Sequence, residues 1–330
     1  MNARLKVALV FGGRSGEHEV SLRSARSVAE GLRERHDVLP LFVDKSGGWH
    51  LQAGALPGPE GGEPVFLAPS PEDGGRLRRL ADARELARPD VFFPVLHGTY
   101  GEDGTVQGLF ELASVPYVGA GVLGSAASMD KAIMKSLFAQ AGLPLFVKPA
   151  NLGSSVAVSK VKTREALSPA LELAFAYDRK VVLERGHDVR EVEVSVLGND
   201  EPAASVPGEI VPDREFYDYD SKYDAKSRTE LHIPARLSPA ESDAVRALAL
   251  AAFRAVDCAG YARVDCFVEK ASGRLLLNEI NTIPGFTSIS MYPKLWEASG
   301  LRYPELLARL VALGLERHAA RARLTTRYGG

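Results

Sequence analysis

The stretch that most limits how this chain can fold runs from Tyr261 to Met291. Alternation after Tyr261 predicts a strand with Arg263 and Asp265 on one face and Val264 and Cys266 on the other. A turn at Ala271-Ser272-Gly273 leads into a second strand, Arg274 to Glu279. Its end presents Glu279 and Asn281, again two apart and facing the same way. Leu275-Leu276-Leu277 demands burial, which ties the hairpin to a core. Two carboxylates and an amide oxygen on one side make a hard, all-oxygen site, suited to Mg²⁺ bridging to phosphates and not to zinc or copper. The plainer reading is a surface hairpin with solvated acids. Four polar groups on one face beside a buried leucine run favour a site. The loop that follows, Thr282 to Met291, carries too many hydroxyls and too much punctuation to serve packing alone.

The whole chain bounds the rest. At 330 residues it is long enough for two or three domains with real cores. A net charge of −2 leaves no electrostatic footprint for nucleic acid or an anionic membrane. Cys258 and Cys266 lack metal-ligand spacing, and two cysteines in such a length suggest a reducing compartment. No apolar run approaches a membrane span, and Met1 to Lys6 leads straight into a strand without a signal-peptide pattern, so the expected location is cytoplasmic.

From the N-terminus, Lys6 to Phe11 reads as a strand that ends in Gly12-Gly13-Arg14-Ser15-Gly16. A helix follows, with Ser21 as its expected N-cap and Ala25, Val28, Ala29 and Leu32 on its buried face. Strand, glycine turn and helix form a βα unit of an open parallel sheet, where ligands sit beyond the strand ends. The glycine spacing fits neither the dinucleotide fingerprint nor the P-loop. Glu19 at the mouth of that helix suits a ligand ammonium, or simply the helix dipole. Val38 to Val43 and Asp90 to Leu96 read as further strands, and Gly47 to Gly75 as loop. His97 follows a strand end and precedes glycines, a common place for ligand contact in such sheets.

A single helix is expected from about Ser125 to Gln140, with Lys131 and Lys135 on one face and Ile133, Leu137 and Phe138 for packing. Lys148 ends the next strand, and Asn151 to Ser155 turns into another, Val156 to Val161. A lysine followed by a Gly/Ser loop can fold over phosphates with backbone N–H donors. Thr163 to Ala176 reads as helix, Lys180 to Glu184 and Arg190 to Val194 as strands, and residues 213 to 230 as a long polar loop of the kind that is usually functional. Ser238 to Val256 and Tyr303 to Arg323 are amphipathic helices.

Several of these segments together closely resemble the D-alanine–D-alanine ligase family, which has the ATP-grasp fold. They are Gly12-Gly13 to Ser21, Leu96-His97-Gly98 to Gly104, Met129-Asp130-Lys131, Lys148-Pro149 to Val156, Tyr217-Asp218-Tyr219 to Tyr223, and Glu279 to Pro293. The resemblance spans nearly the whole chain in the family's order. It implies an α/β protein of three lobes: an N-terminal parallel α/β sheet over residues 1–119, a small central lobe over 120–187, and a catalytic lobe over 188–330, the last two α+β and clamping ATP. The implied reaction phosphorylates the carboxylate of one D-alanine with ATP. The amine of a second then attacks the acyl phosphate, giving a peptidoglycan precursor in the cytoplasm.

By matching positions, Asp265, Glu279 and Asn281 would hold two Mg²⁺ (or Mn²⁺), and Lys131, Lys148 and Lys222 the phosphates. Glu184 and Glu191 would meet adenine and ribose. Glu19 would take the first ammonium, linked through Ser154 to Tyr223, with His97 near the first carboxylate. Arg263 and the N–H of Gly285 would stabilise the oxyanion, while Ser290 and Met291 would hold the second carboxylate. The family also implies a homodimer.

Two departures stand out. The family carries a further strand and helix before the Lys148 strand, whereas here Pro144 meets Leu145 directly; and Ala157 stands where glycine is common. Other readings are a ligase joining D-alanine to D-lactate, another ATP-grasp ligase, or a non-catalytic nucleotide-binding module with a curtailed central lobe. A charge cluster that costs stability when unpaired speaks for catalysis.

Overall fold

A computed structural model describes residues 4–54, 56–144, 165–177, 180–181, 188–211, 229–287 and 289–325. Two sheets organise them. The first has seven strands in the order β6-β5-β4-β3-β2-β1-β7: β1 Lys6–Gly12, β2 Asp37–Val43, β3 Trp49–Leu51, β4 Glu63–Leu67, β5 Leu77–Arg79, β6 Glu85–Ala87 and β7 Val91–Pro94. Only β1 with β2 and β1 with β7 pair in parallel; from β2 outwards to β6 the ladder is antiparallel. The second sheet runs β11-β10-β8-β12-β13, with β9 paired to β8, and is antiparallel throughout: β8 Val189–Gly198, β9 Ala203–Ala204, β10 Gly208–Val211, β11 Glu230–His232, β12 Gly260–Glu269 and β13 Leu275–Asn281.

The helices are α1 His18–Leu32, α2 Thr105–Leu112, α3 Val122–Met129, α4 Lys131–Gln140, α5 Leu167–Tyr177, α6 Pro239–Ala255, α7 Met291–Ala298 and α8 Tyr303–Arg321. The first core joins Val7, Leu9 and Phe11 of β1 to Val28 and Leu32 of α1, and to Leu306, Leu307 and Leu310 of α8. The second core sets Val192, Val194, Val264 and Cys266 against Val245, Ala249 and Phe253 of α6, with Met134 and Phe138 of α4 completing it. Each Val, Leu, Phe or Met side chain among these contributes roughly 1.5–3 kcal/mol by burial alone. Helix α6 begins with a full capping box, in which Ser238 and Glu241 satisfy each other's backbone N–H, and with Pro239 in its first turn.

Several expectations are corrected. Ser21 is not the N-cap of α1, because the helix starts at His18 behind Glu17. Ser21 instead lies buried inside the helix, taking the Gly12 N–H and donating to the Val95 carbonyl. The loop expected from Gly47 to Gly75 contains β3 and β4, strands too short and too glycine-flanked to show a period. The single helix expected from Ser125 is two. Asp130 leaves the helical region at ψ 99° and its carboxylate caps the N–H groups of Ala132 and Ile133. Ile133, expected in packing, is 51% exposed. Lys180 and Val181 have no strand geometry, and the strands expected around Lys148, Val156 and Glu184 lie outside the described residues. The loop after Phe286 gives way to α7, a helix the sequence reading lacked. The other expected elements stand: β1, β2, β7, α1, α5, α6, α8 and the β12–β13 hairpin.

Candidate active site

Strand register builds the site. Asp265 lies opposite Glu193 of β8 on one side and Glu279 of β13 on the other, so three carboxylates form a row across three strands. One step along, Arg263 lies opposite Asn281. A β-bulge between Asp265 and Cys266 locally re-aims the strand, a device common beside active sites. The apolar side of β12, Val264 and Cys266, is fully buried in the second core, so Arg263 and Asp265 lie on the opposite face of the sheet, beside Glu279 and Asn281.

Arg263 ties the row together. Its guanidinium forms two 2.7 Å bonds with the two oxygens of Asp265, and its Nε lies 3.1 Å from Glu193 Oε2. Burial works against the guanidinium charge, but Asp265, Glu193 and Glu279 outweigh it and hold the group firmly protonated. The Asn281 amide donates to Asp265 Oδ2 at 3.1 Å. Lys131, at the start of α4, brings its ammonium to 3.6 Å from Glu279 Oε2. The helix break at Asp130 therefore has a positional effect: it starts a new helix whose first residue points at β13. Glu102, Ser128, Met129, Lys131, Glu279, Ile280, Asn281 and Thr282 line one cleft.

The N-terminal sheet delivers the opposite wall. His97, nearly buried, places Nδ1 3.0 Å from the Ile283 carbonyl and Nε2 3.0 Å from Ser24 Oγ of α1. Burial lowers its basicity, so the ring is neutral. Glu102, part-buried in the cleft wall, accepts the Gly98 N–H at 2.6 Å. Burial first and the nearby Glu17 charge second push its carboxyl up to about 8. Glu17 faces inward, since a Cβ on Gly98 would lie 3.0 Å from Glu17 Oε2. Gly98 itself has φ +78°, a conformation that favours glycine.

Not every expected residue joins this assembly. Glu19 is turned outward, its side chain 58% exposed and bonded to Lys45 at 3.0 Å. The acid that reaches the site is Glu17, the N-cap residue of α1, which an expected helix start at Ser21 leaves out. Glu193 was also missed; only inter-strand register reveals it. Glu191 sits on β8 opposite Phe267, part-buried. Gly285 packs so closely that a Cβ there would meet Ser290 Oγ at 2.8 Å. Ser290 Oγ closes the turn by accepting the Thr287 N–H, and Met291 opens α7 with its side chain buried against Ile210 and Leu295. Ser154, Lys148, Glu184, Lys222 and Tyr223 lie outside the described residues. Among the described residues, no three Asp, Glu, His or Cys side chains group as a metal cage.

This mixed α/β architecture, with an antiparallel sheet presenting acids and an arginine to a cleft beneath an N-terminal sheet, is that of the ATP-grasp ligases. Family models described as the N-terminus and the C-terminus of D-ala D-ala ligase match residues 6–120 and 109–312. The chain belongs to the D-alanine–D-alanine ligase family. It is 50% identical to a D-alanine–D-alanine ligase of Heliobacterium modesticaldum, covering 97% of each chain, and 44% identical to D-alanine–D-alanine ligase A of Escherichia coli, covering 98% and 99%. Among solved structures, the D-alanine–D-alanine ligase of Coxiella burnetii superposes with TM-score 0.83 at 34% identity, over 97% of this chain and 96% of that one. The VanG D-Ala:D-Ser ligase of Enterococcus faecalis gives 0.82, also at 34%, over 94% and 100%. The alignment with the H. modesticaldum protein spans 356 residues against 330 in this chain, so that relative carries residues with no counterpart here.

Proposed function

We propose that the protein joins two D-alanines at the expense of ATP, in the cytoplasm, to supply a peptidoglycan precursor. The row Glu193–Asp265–Glu279 with Arg263 between two of its members carries this reading. Phosphoryl transfer to a carboxylate needs charge neutralisation and positioning more than covalent help, and this cleft offers both. The donor set is all hard oxygen, and Glu279 already has a cation, the Lys131 ammonium, beside it. Asp265, Glu279 and Asn281 would hold Mg²⁺, which neutralises phosphate charge when bound. Two such ions fit the family expectation.

The chain's own residues do the rest. Lys131 faces the phosphates, with Lys148 and Lys222 assigned to them by motif alone. Glu184 and Glu191 bind the nucleoside on the same ground. Glu17, the N-cap residue of α1, takes the first ammonium in place of Glu19, which is turned outward and paired with Lys45. Arg263 and the Gly285 N–H face the oxyanion as the second amine attacks. Ser290 and Met291, at the start of α7, hold the second carboxylate, with the Met291 N–H as the backbone donor of that helix end. Ser154 and Tyr223 close over the first substrate and keep water from the acyl phosphate. The lobes are assigned to residues 1–119, 120–187 and 188–330, and the working unit to a homodimer.

The test is phosphate release with Mg-ATP and D-alanine, alone or with D-lactate or D-serine, with products identified by mass. D-serine is included because one solved relative is a D-Ala:D-Ser ligase. D-Alanyl-D-alanine with stoichiometric phosphate is the expected product. ATP binding without release overturns the reading in favour of a nucleotide-binding module.

A further inference from the structure

Between the metal-facing Asn281 and the oxyanion-facing Gly285 the chain must hold one backbone path to within a fraction of an ångström. Nothing in residues 282–285 does this by itself: Thr282, Ile283 and Pro284 are buried but form no strand or helix. The restraint comes from the N-terminal sheet. The Ile283 carbonyl accepts only, so the proton on His97 sits on Nδ1. A neutral ring then leaves Nε2 bare, to accept the Ser24 hydroxyl proton. With its proton so committed, Ser24 Oγ takes the Phe286 N–H at 3.4 Å. One imidazole and one hydroxyl therefore grip the loop at two peptides, three residues apart. The Ile283 backbone N–H also donates to the Glu102 carboxyl. Phe286 locks the far end, fully buried and in edge or tilted contact with Phe93, Tyr261 and Tyr292.

We propose that Ser24 and His97 are positioning residues, which hold the 283–286 loop in the geometry that the ligation step needs, and that His97 acts through this loop and not by touching the first substrate. Both ring nitrogens are engaged in that grip, and the ring is 96% removed from solvent, with relative exposure 4%. The proposal rests on the ligase reading above.

The experiment uses the full-length protein, with dipeptide formation by the unaltered chain measured first. Absence of turnover there removes the ligase reading itself and says so before any variant is made. Given turnover, Ser24→Ala removes only a hydroxyl from α1, and Ser24→Cys keeps a weak donor. His97→Asn keeps an amide N–H where Nδ1 stood but loses the bond to Ser24. A displaced loop should lower kcat by roughly 10–100-fold in Ser24→Ala, since misplacement of about 1 Å costs that much. KM for ATP and for D-alanine should stay within about twofold, because neither is bound by the loop's grip. Ser24→Cys should recover part of the loss. Ser24→Ala and His97→Asn cut the same bond, so the double variant should be no slower than the slower single one. A wild-type kcat in Ser24→Ala overturns the proposal. So does a His97→Asn variant whose only change is a raised KM for D-alanine, additive with Ser24→Ala. If Ser24→Ala does not fold, Ser24→Cys with the double-variant comparison built on it decides the same question.

Discussion

The two sheets of this protein treat charge in opposite ways. The parallel centre of the first keeps both faces apolar: Val7, Ala8, Leu9, Val10 and Phe11 of β1 are all without exposed surface, and the polar groups beside the site gather beyond the strand ends, at Glu17, His97 and Glu102. The second sheet carries three carboxylates and a guanidinium across the middle of one face. A sheet face far from its ends is a costly place for charge unless each group is paired. The first sheet can therefore vary its ligand groups without disturbing its core. In the second, the reactive groups are part of what holds the strands in register.

The sharpest way to break this contrast is Arg263→Met. It leaves Asp265 and Glu193 facing each other without a cation, and removing one partner from such a cluster costs on the order of 3–5 kcal/mol. Urea unfolding should show that loss, and ligation should fall by roughly 10³-fold per folded molecule. Leu9→Ala makes the opposite demand on the first sheet. It should cost about 2–5 kcal/mol through the cavity it leaves, while turnover per folded molecule stays near wild type. An activity loss matching that of Arg263→Met would erase the distinction between the sheets.

A smaller effect concerns pH. Glu102 keeps its proton in the folded state up to about 8, whereas the unfolded chain releases it near its ordinary value of 4.5. Between these values the unfolded state loses a proton that the folded state retains, so stability falls as pH rises through this window. Glu102→Gln should flatten that slope, by at most about 1.4 kcal/mol per pH unit. The smallest effect belongs to scaffold alone: Ser238→Ala removes the capping box of α6 and should lower stability by about 1 kcal/mol with no change in kcat.

Legibility in the sequence followed the range of the interactions. The β12–β13 hairpin could be read because its two strands are neighbours and its alternation is local; the pairing of Asp265 with Glu279 confirms the face that alternation predicted. Glu193 could not be read in the same way, because its place beside Asp265 depends on a register between strands about 70 residues apart in sequence. The break at Asp130 was hidden by an apolar pattern that continues through it, although Asp is a favoured N-cap. Only Glu19 was legible as the acid for the ammonium, because Glu17 comes into view once α1 is known to begin at His18, and helix boundaries are the least legible feature of any periodic pattern. Short β3 to β6 gave no period at all.

The placement of α8 has a consequence for how the chain is made. Its Leu306, Leu307 and Leu310 complete the core that begins with Val7 and Leu9. Roughly 300 residues of synthesis separate the two, about 15–60 s at 5–20 residues per second. Through that interval β1, made well before α8, has one apolar side without its final cover. The sheet around β1 is made long before its core is finished, and a chaperone that shields β1 and α1 would act longest there.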